Sequence, residues 1–305
     1  MITLSIIIPV YNGEKFLRKC LDSIFLFNTS SLDLFEVIIV NDGTPDRSLD
    51  VVSEYTRLYK NIKVFSQENK GLGEARNAGM KLVNGKYVWF VDQDDWITPN
   101  AIERICENLH LNKPDILSFE YRYPSGKRST IKNNAVVDKT YKGTEFLKIH
   151  IVEYPVWQYV IKSSFIVEKN LHFQKENNED ALFTPIAFFL ANSVKYDSSI
   201  NYIYNYREDS IMTTMAPLEH CYESINVCAK LYEFMINPVN NFSEKRVFSK
   251  YISLLIGGIY FWWGHLNKKD KKLISKELPF DILFKTVLLN LQFKYIIGLL
   301  VMKFK

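Results

Sequence analysis

The stretch Lys86-Tyr87-Val88-Trp89-Phe90-Val91-Asp92-Gln93-Asp94-Asp95 is an apolar, strand-forming run that ends in three carboxylates within four positions. A continuous apolar run of this length fits a strand buried on both faces. Carboxylates so crowded repel one another unless water or a cation separates them. Hard divalent ions such as Mg²⁺ and Mn²⁺ take oxygen ligands and complete their coordination with water and a substrate's phosphates. The stretch therefore has two readings, a solvated acidic turn after a buried strand or a metal site for a nucleotide-diphosphate substrate.

Working outward, the preceding segments alternate between two periodicities. Ser5 to Val10 reads as a buried strand and Gly13 to Phe27 as a helix, followed by a strand at Glu36 to Val40 and a helix at Ser48 to Lys60. Ile62 to Phe65 is a third strand, Gly73 to Val83 a helix and Tyr87 to Val91 a fourth strand. Strands separated by helices imply βαβ units and a mainly parallel sheet flanked by helices, an α/β fold. Ligands of such sheets sit at the carboxyl ends of the strands. Tyr11-Asn12, Asn41-Asp42-Gly43 and Asp92 to Asp95 all fall at such ends. Beyond Pro99 a helix is expected over Asn100 to Leu111, a strand over Asp115 to Tyr123 and a hairpin turn at Tyr123 to Arg128. Mixed helix and loop follow to about Ser199, and from Leu218 onward helical patterns dominate. The expected organisation is a domain over 1–215, divided into a nucleotide-binding half (1–100) and an acceptor half (101–215), and a C-terminal helical region over 216–305.

Composition narrows the function classes. The chain has 305 residues, enough for a full core, and 47% hydrophobic with 24% charged residues is ordinary for a soluble globular protein. A net charge of +4, without a basic stripe interleaved by aromatics, argues against nucleic acid as a partner. Cys20, Cys106, Cys221 and Cys228 lack ligand-type spacing and read as reduced structural thiols, and the chain opens directly into Leu4-Ser5-Ile6-Ile7 without a signal-peptide pattern. Both features lead to the expectation of a cytoplasmic protein.

In order along the chain, Ser5-Ile6-Ile7-Ile8-Pro9-Val10-Tyr11-Asn12, Val40-Asn41-Asp42-Gly43, Asn69-Lys70-Gly71-Leu72-Gly73-Glu74-Ala75-Arg76-Asn77-Ala78-Gly79 and Phe90-Val91-Asp92-Gln93-Asp94-Asp95 resemble the successive motifs of family 2 glycosyltransferases, and Asn178-Glu179-Asp180 matches further on. The resemblance implies a nucleotide-sugar-binding GT-A fold, inversion at the anomeric carbon and Mn²⁺ or Mg²⁺ as cofactor. It implies a UDP-sugar donor and a growing polysaccharide or lipid-linked glycan as acceptor. Pro9, Tyr11, Asp42, Arg76, Asp92, Gln93 and Asp94 are the implied nucleotide-sugar residues, with Asp42 on the N3 hydrogen of uracil, Asp92 on the ribose and Asp94 on the metal. Asp180 aligns with the base that takes the acceptor's proton, beside Glu179. Trp157 is a candidate acceptor platform with Tyr159, and Arg207 a candidate pyrophosphate contact, although the family's arginine-tryptophan pair is absent there.

Each residue also has a plainer reading. Asp42-Gly43 suits a turn, Tyr11 and Trp157 suit a core, Asp95 suits a cap, and Glu179-Asp180 suits a solvated loop or helix start. Gly71 and Gly73 permit tight turns near a phosphate, with Arg76 placed to neutralise the nucleotide or to hold Asp92. At the other end of the chain, Tyr251 to Gly264 is too short for a membrane span. Leu283 to Lys305 mixes lysines with apolar residues as an interfacial helix does, so peripheral membrane contact and packing on the core or an oligomer partner both suit it. The reading to test is an inverting, metal-dependent glycosyltransferase. Its rivals are a nucleotidyltransferase, disfavoured because Pro9-Val10-Tyr11-Asn12 is no triphosphate loop, and a catalytically silent nucleotide-sugar-binding or scaffold protein.

Overall fold

The computed structural model describes residues 2–28, 31–128, 135–137, 139–150, 152–175, 178–207, 215–237, 242–289 and 293–304. Strands β1 (Leu4–Val10), β2 (Phe35–Asp42), β3 (Ile62–Gln67) and β4 (Tyr87–Phe90) lie in the order β3-β2-β1-β4, all parallel, so that Ile7 stands between Ile38 and Phe90. Every residue of β1, β2 and β4 is buried, which accounts for their mainly apolar sequences. Edge strand β3 is largely exposed. The crossovers are helices α1 (Leu17–Phe25), α2 (Ser48–Leu58) and α3 (Leu72–Met80). Gly79 lets α3 approach the sheet, since a Cβ there would come within 2.5 Å of Ile7. A carboxylate is buried within β2: Glu36 accepts from Ser5 Oγ and Asn84 and pairs with Lys63.

The segment from 96 to 203 completes the same sheet with different geometry. Its elements are β5 (Trp96–Ile97), α4 (Ala101–Asn112), β6 (Ile116–Arg122), β7 (Thr140–Tyr141), α5 (Gly143–Ile149), β8 (Tyr159–Lys162), α6 (Ser163–Glu168), α7 (Glu179–Leu190) and β9 (Val194–Ile203). The strand order continues β4-β8-β6-β9-β5, with β7 on β9. Strand β8 runs antiparallel to β4 and β6, and β5 and β7 antiparallel to β9, while β6 and β9 are parallel. The expected hairpin turn is present: the N–H of Tyr123 reaches the carbonyl of Lys127, and Arg122 bridges Arg128. Trp89, Phe119, Trp157 and Tyr202 form an aromatic core across β4, β6 and β9, where Trp157 and Tyr202 stack at 4.4 Å.

Contacts divide the chain into two compact units, residues 1–206 and 207–305. The second is helical: α8 (Pro217–Ile236) packs on α9 (Phe242–Gly264), followed by α10 (Lys268–Glu277), α11 (Phe280–Leu289) and α12 (Phe293–Phe304). The helix expected from Leu283 to Lys305 is thus two helices, with Leu283, Thr286, Val287, Leu299 and Met302 buried. Among the described residues no helix is long and apolar enough to cross a membrane. All four cysteines are buried and free.

Candidate active site

Because β1, β2 and β4 are parallel neighbours, the segments after them meet at one edge. Residues 11–14 after β1 are held by side chains of two other strand ends. Gln93 accepts the N–H of Tyr11 at 3.1 Å and donates to its carbonyl at 2.6 Å. Thr44 accepts the N–H of Asn12, Ser48 that of Gly13, and Asp46 that of Glu14. Asp46 organises the group: its Oδ1 accepts from Thr44 Oγ1 and from both the hydroxyl and the N–H of Ser48, at the start of α2. Burial pushes its carboxyl up, but the hydrogen bonds from Ser48, Thr44 and the N–H of Glu14 prevail and bring it down to about 2. Asn12 takes φ +53°, a left-handed conformation Asn tolerates. At Gly13 a Cβ would lie 2.1 Å from Gln93 Oε1, so a side chain there would displace Gln93.

Asp42 is buried at the end of β2 and organises the next loop. Its Oδ1 accepts from Gln67 Nε2 and the N–H of Lys70, and its Oδ2 from the N–H of Gly71, just before α3. The acidic turn after β4 is divided in its attachments. Asp92 pairs with Arg76, and buried Asp95 accepts from Tyr202 Oη and the N–H of Asn205, so it ties the turn to the end of β9. Burial, then the charges of Asp94 and Asp92, push the Asp95 carboxyl well above the usual range. Asp94 is partly exposed, with its carbonyl held by Asn205. Among the described residues no three His, Cys, Asp or Glu side chains form a cage for a metal ion. A single hard carboxylate such as Asp94, completed by phosphate oxygens and water, is the donor set that Mg²⁺ and Mn²⁺ use, so the residues present fit such an ion.

Arg76, from α3, is fully buried where the two halves of the sheet meet. Its Nη2 donates to Asp92 Oδ1 at 2.9 Å, and its Nη1 donates to Glu179 Oε1 and, at 2.9 Å, to Asp180 Oδ1. The other Asp180 oxygen accepts the N–H of Val156. One guanidinium thus serves three carboxylates, two of them on the first turn of α7, where the helix dipole also favours negative charge. The guanidinium is held protonated. Glu179 and Asp180 both sit above the usual carboxylate range: burial is the main cause for each, Arg76 opposes it, and the neighbouring acids add to it.

Asp42, Arg76, Asp92, Gln93, Asp94, Glu179 and Asp180 therefore border one edge of the sheet, with Tyr11 exposed there and Pro9 buried within β1. Trp157, expected as an acceptor platform, is instead 3% exposed, stacked with Tyr202 and Tyr204 and edge-on to Tyr121. Tyr159 is likewise buried, edge-on to Phe188. Both were drawn inward because their segment becomes β8 and its preceding turn. Arg207 begins the second unit. The supporting residues Thr44, Asp46 and Ser48 were missed, although Thr44-Pro45-Asp46-Arg47-Ser48 before a helical pattern is a helix-start signal.

Residues 5–170 match Glycosyl transferase family 2. The chain is 33% identical over 216 residues to the Bacillus subtilis protein named uncharacterized glycosyltransferase EpsJ, covering 68% of this chain and 62% of that one. It is 30% identical over 229 residues to the poly(ribitol-phosphate) beta-glucosyltransferase of Bacillus spizizenii, covering 72% of this chain and 35% of that one. The matches thus span less than two thirds of these relatives' own lengths. Among solved structures, S. aureus TarS 1-349 in complex with UDP-GlcNAc aligns with a TM-score of 0.71 over 99% of this chain and 90% of that one, at 19% identity. That likeness establishes the GT-A fold.

Proposed function

Since this chain belongs to glycosyl transferase family 2, we propose that it moves a sugar from a UDP-sugar to a hydroxyl of a growing surface polysaccharide or lipid-linked glycan, with inversion at the anomeric carbon. The observation that carries the reading is Arg76, which ties Asp92 at the donor edge to Asp180 at the start of α7. In this reading Asp180 takes the proton of the acceptor hydroxyl as that oxygen attacks the anomeric carbon from the face opposite the departing nucleotide. Arg76 sets the Asp180 carboxylate in place, and Glu179 shares that guanidinium. Asp42 and its loop receive the base, and Asp92 receives the ribose. A bound Mn²⁺ or Mg²⁺ would be held by Asp94 and would supply compensation for the charge on the leaving diphosphate. UDP as the nucleotide is supported by the UDP-GlcNAc complex of the structural neighbour. A polymer acceptor is supported by the name of the Bacillus spizizenii relative, a poly(ribitol-phosphate) beta-glucosyltransferase.

The test is UDP release from a panel of UDP-sugars with Mn²⁺, comparing the wild type with Asp180→Asn. Metal-dependent donor turnover by the wild type is expected. Donor binding without turnover in any combination of sugar and acceptor would favour the rival reading, a nucleotide-sugar-binding protein without activity, and no binding at all would sink both.

A further inference from the structure

At the amino ends of β1 and β4, the far end of the sheet from Asp42 and Asp92, lies a cavity of about 370 Å³ lined by Lys86, Lys113, Lys162 and His110, with Tyr87 and Ser164 among its other walls. The fold forces the lysines together. Strand β8 runs antiparallel to β4 with Tyr87 opposite Lys162, so the residue before β4 and the last residue of β8 share one end. Lys113 ends α4 in a left-handed turn, φ +47°, beside them. No carboxylate lines the cavity. The nearest acid in sequence, Asp115, turns its carboxylate to the N–H groups of Asn192 and Ser193, although its charge still reaches Tyr87 on the cavity wall and that of Glu168 reaches Lys162. Among the described residues none of the three ammonium groups has a carboxylate within ion-pair reach, whereas Lys63, elsewhere on the same sheet, is paired with Glu36.

Three lysines among the residues of one largely apolar concave site, with hydroxyls and the wall of Leu109 beside them, match an anion that carries a carbon body. We infer that this cavity binds a phosphate group of an ester, either a lipid headgroup or a soluble phosphate ester. The site is distinct from the donor's. Five residues of extended chain separate Tyr87 from Asp92, roughly 16 Å at about 3.3 Å per residue, too far for one pyrophosphate to serve both ends.

The experiment uses the full chain and two probes, calorimetric titration with sn-glycerol 3-phosphate and co-sedimentation with phosphatidylglycerol vesicles against phosphatidylcholine controls. The comparison variant is Lys86→Gln/Lys113→Gln/Lys162→Gln, with Lys86→Glu alone as a milder second change. Saturable binding of the soluble ester that falls at least tenfold in the triple variant, with UDP affinity unchanged, supports the site and shows that the phosphate ester suffices. Binding to the anionic vesicles alone, lost in the same variant, supports it and identifies a lipid headgroup. Absence of binding to both probes, equal binding by wild type and variants, or a parallel loss of UDP affinity would overturn it.

Discussion

Asp46 and Asp180 stand at the starts of two helices on the same edge of the sheet, yet their surroundings drive their proton affinities in opposite directions. Asp46 is met by four hydrogen bonds, from Thr44, from Ser48 twice and from Glu14, and remains ionised far into acid. Asp180 receives one bond from a guanidinium shared with two other acids and one from the N–H of Val156, and it holds its proton more readily than an ordinary carboxylate. At Asp46 the hydrogen bonds together outweigh burial, whereas at Asp180 burial and the charge of Asp92 outweigh Arg76 and the N–H of Val156. A carboxylate that must only support a loop is saturated with donors. The one proposed as the base has fewer of them.

The strongest way to break this contrast is to remove the shared cation. Arg76→Met leaves Asp92, Glu179 and Asp180 facing one another, and losing one partner of a buried pair costs about 3–5 kcal/mol. Urea denaturation at neutral pH should show that loss, with part of it recovered when Glu179→Gln is added. Unchanged stability would mean that Arg76 is not the counter-charge of the cluster. Next in size is Asp180→Asn, which keeps the shape but not the basicity: transfer should fall by roughly 10² to 10⁴, while UDP affinity measured by calorimetry stays within about twofold. Near wild-type transfer would place the base elsewhere, with Glu179 the next residue to test.

Asp94→Asn should weaken Mn²⁺-dependent UDP binding by about tenfold or more, the scale seen when even outer partners of a metal are lost. Titration with and without Mn²⁺ checks this, and an unaltered metal dependence rules out the assignment. The smallest effect sharpens the comparison directly. Asp46→Ala should cost about 0.5–2 kcal/mol, as lost helix-start acceptors do. Its depressed carboxyl contributes stability that is present above the ordinary Asp range and lost as pH falls through about 2. The raised Glu179 and Asp180 act in the opposite sense, because the folded state binds their protons more tightly, so their contribution declines as pH rises from the ordinary range through the raised one. Denaturation midpoints against pH should therefore lose their acid-side slope in Asp46→Ala and flatten toward neutral pH in Glu179→Gln. Identical pH profiles for both variants would show that the two settings do not differ.

The parallel half was legible because its signals are local. Buried strands read as mainly apolar runs, and turn residues mark their ends, so β1, β2 and β4 and the polar residues after them could be placed from sequence. The rest depends on distant pairing. Arg76 meets Glu179 across 103 residues, which no periodicity announces. The antiparallel insertion of β8 between β4 and β6 pulled Trp157 and Tyr159 into the core, where a sequence reading had offered them to a sugar. The Asp46 group escaped notice because a Thr-Pro-Asp loop looks like any helix start until its acceptors are seen holding another strand's loop. In the C-terminal unit the apolar run after Phe280 carries no clear break signal, and two helices read as one.

The loop at 11–14 behaves like a key cut in four steps: each successive N–H enters a different ward, supplied by Gln93, Thr44, Ser48 and Asp46 in turn. Exchanging a single side chain there alters one step. Adding or deleting one residue shifts every step past the ward it fits. Variation among relatives of this chain should therefore be permissive in the identity of exposed Glu14 and strict in the number of residues between the end of β1 and the start of α1.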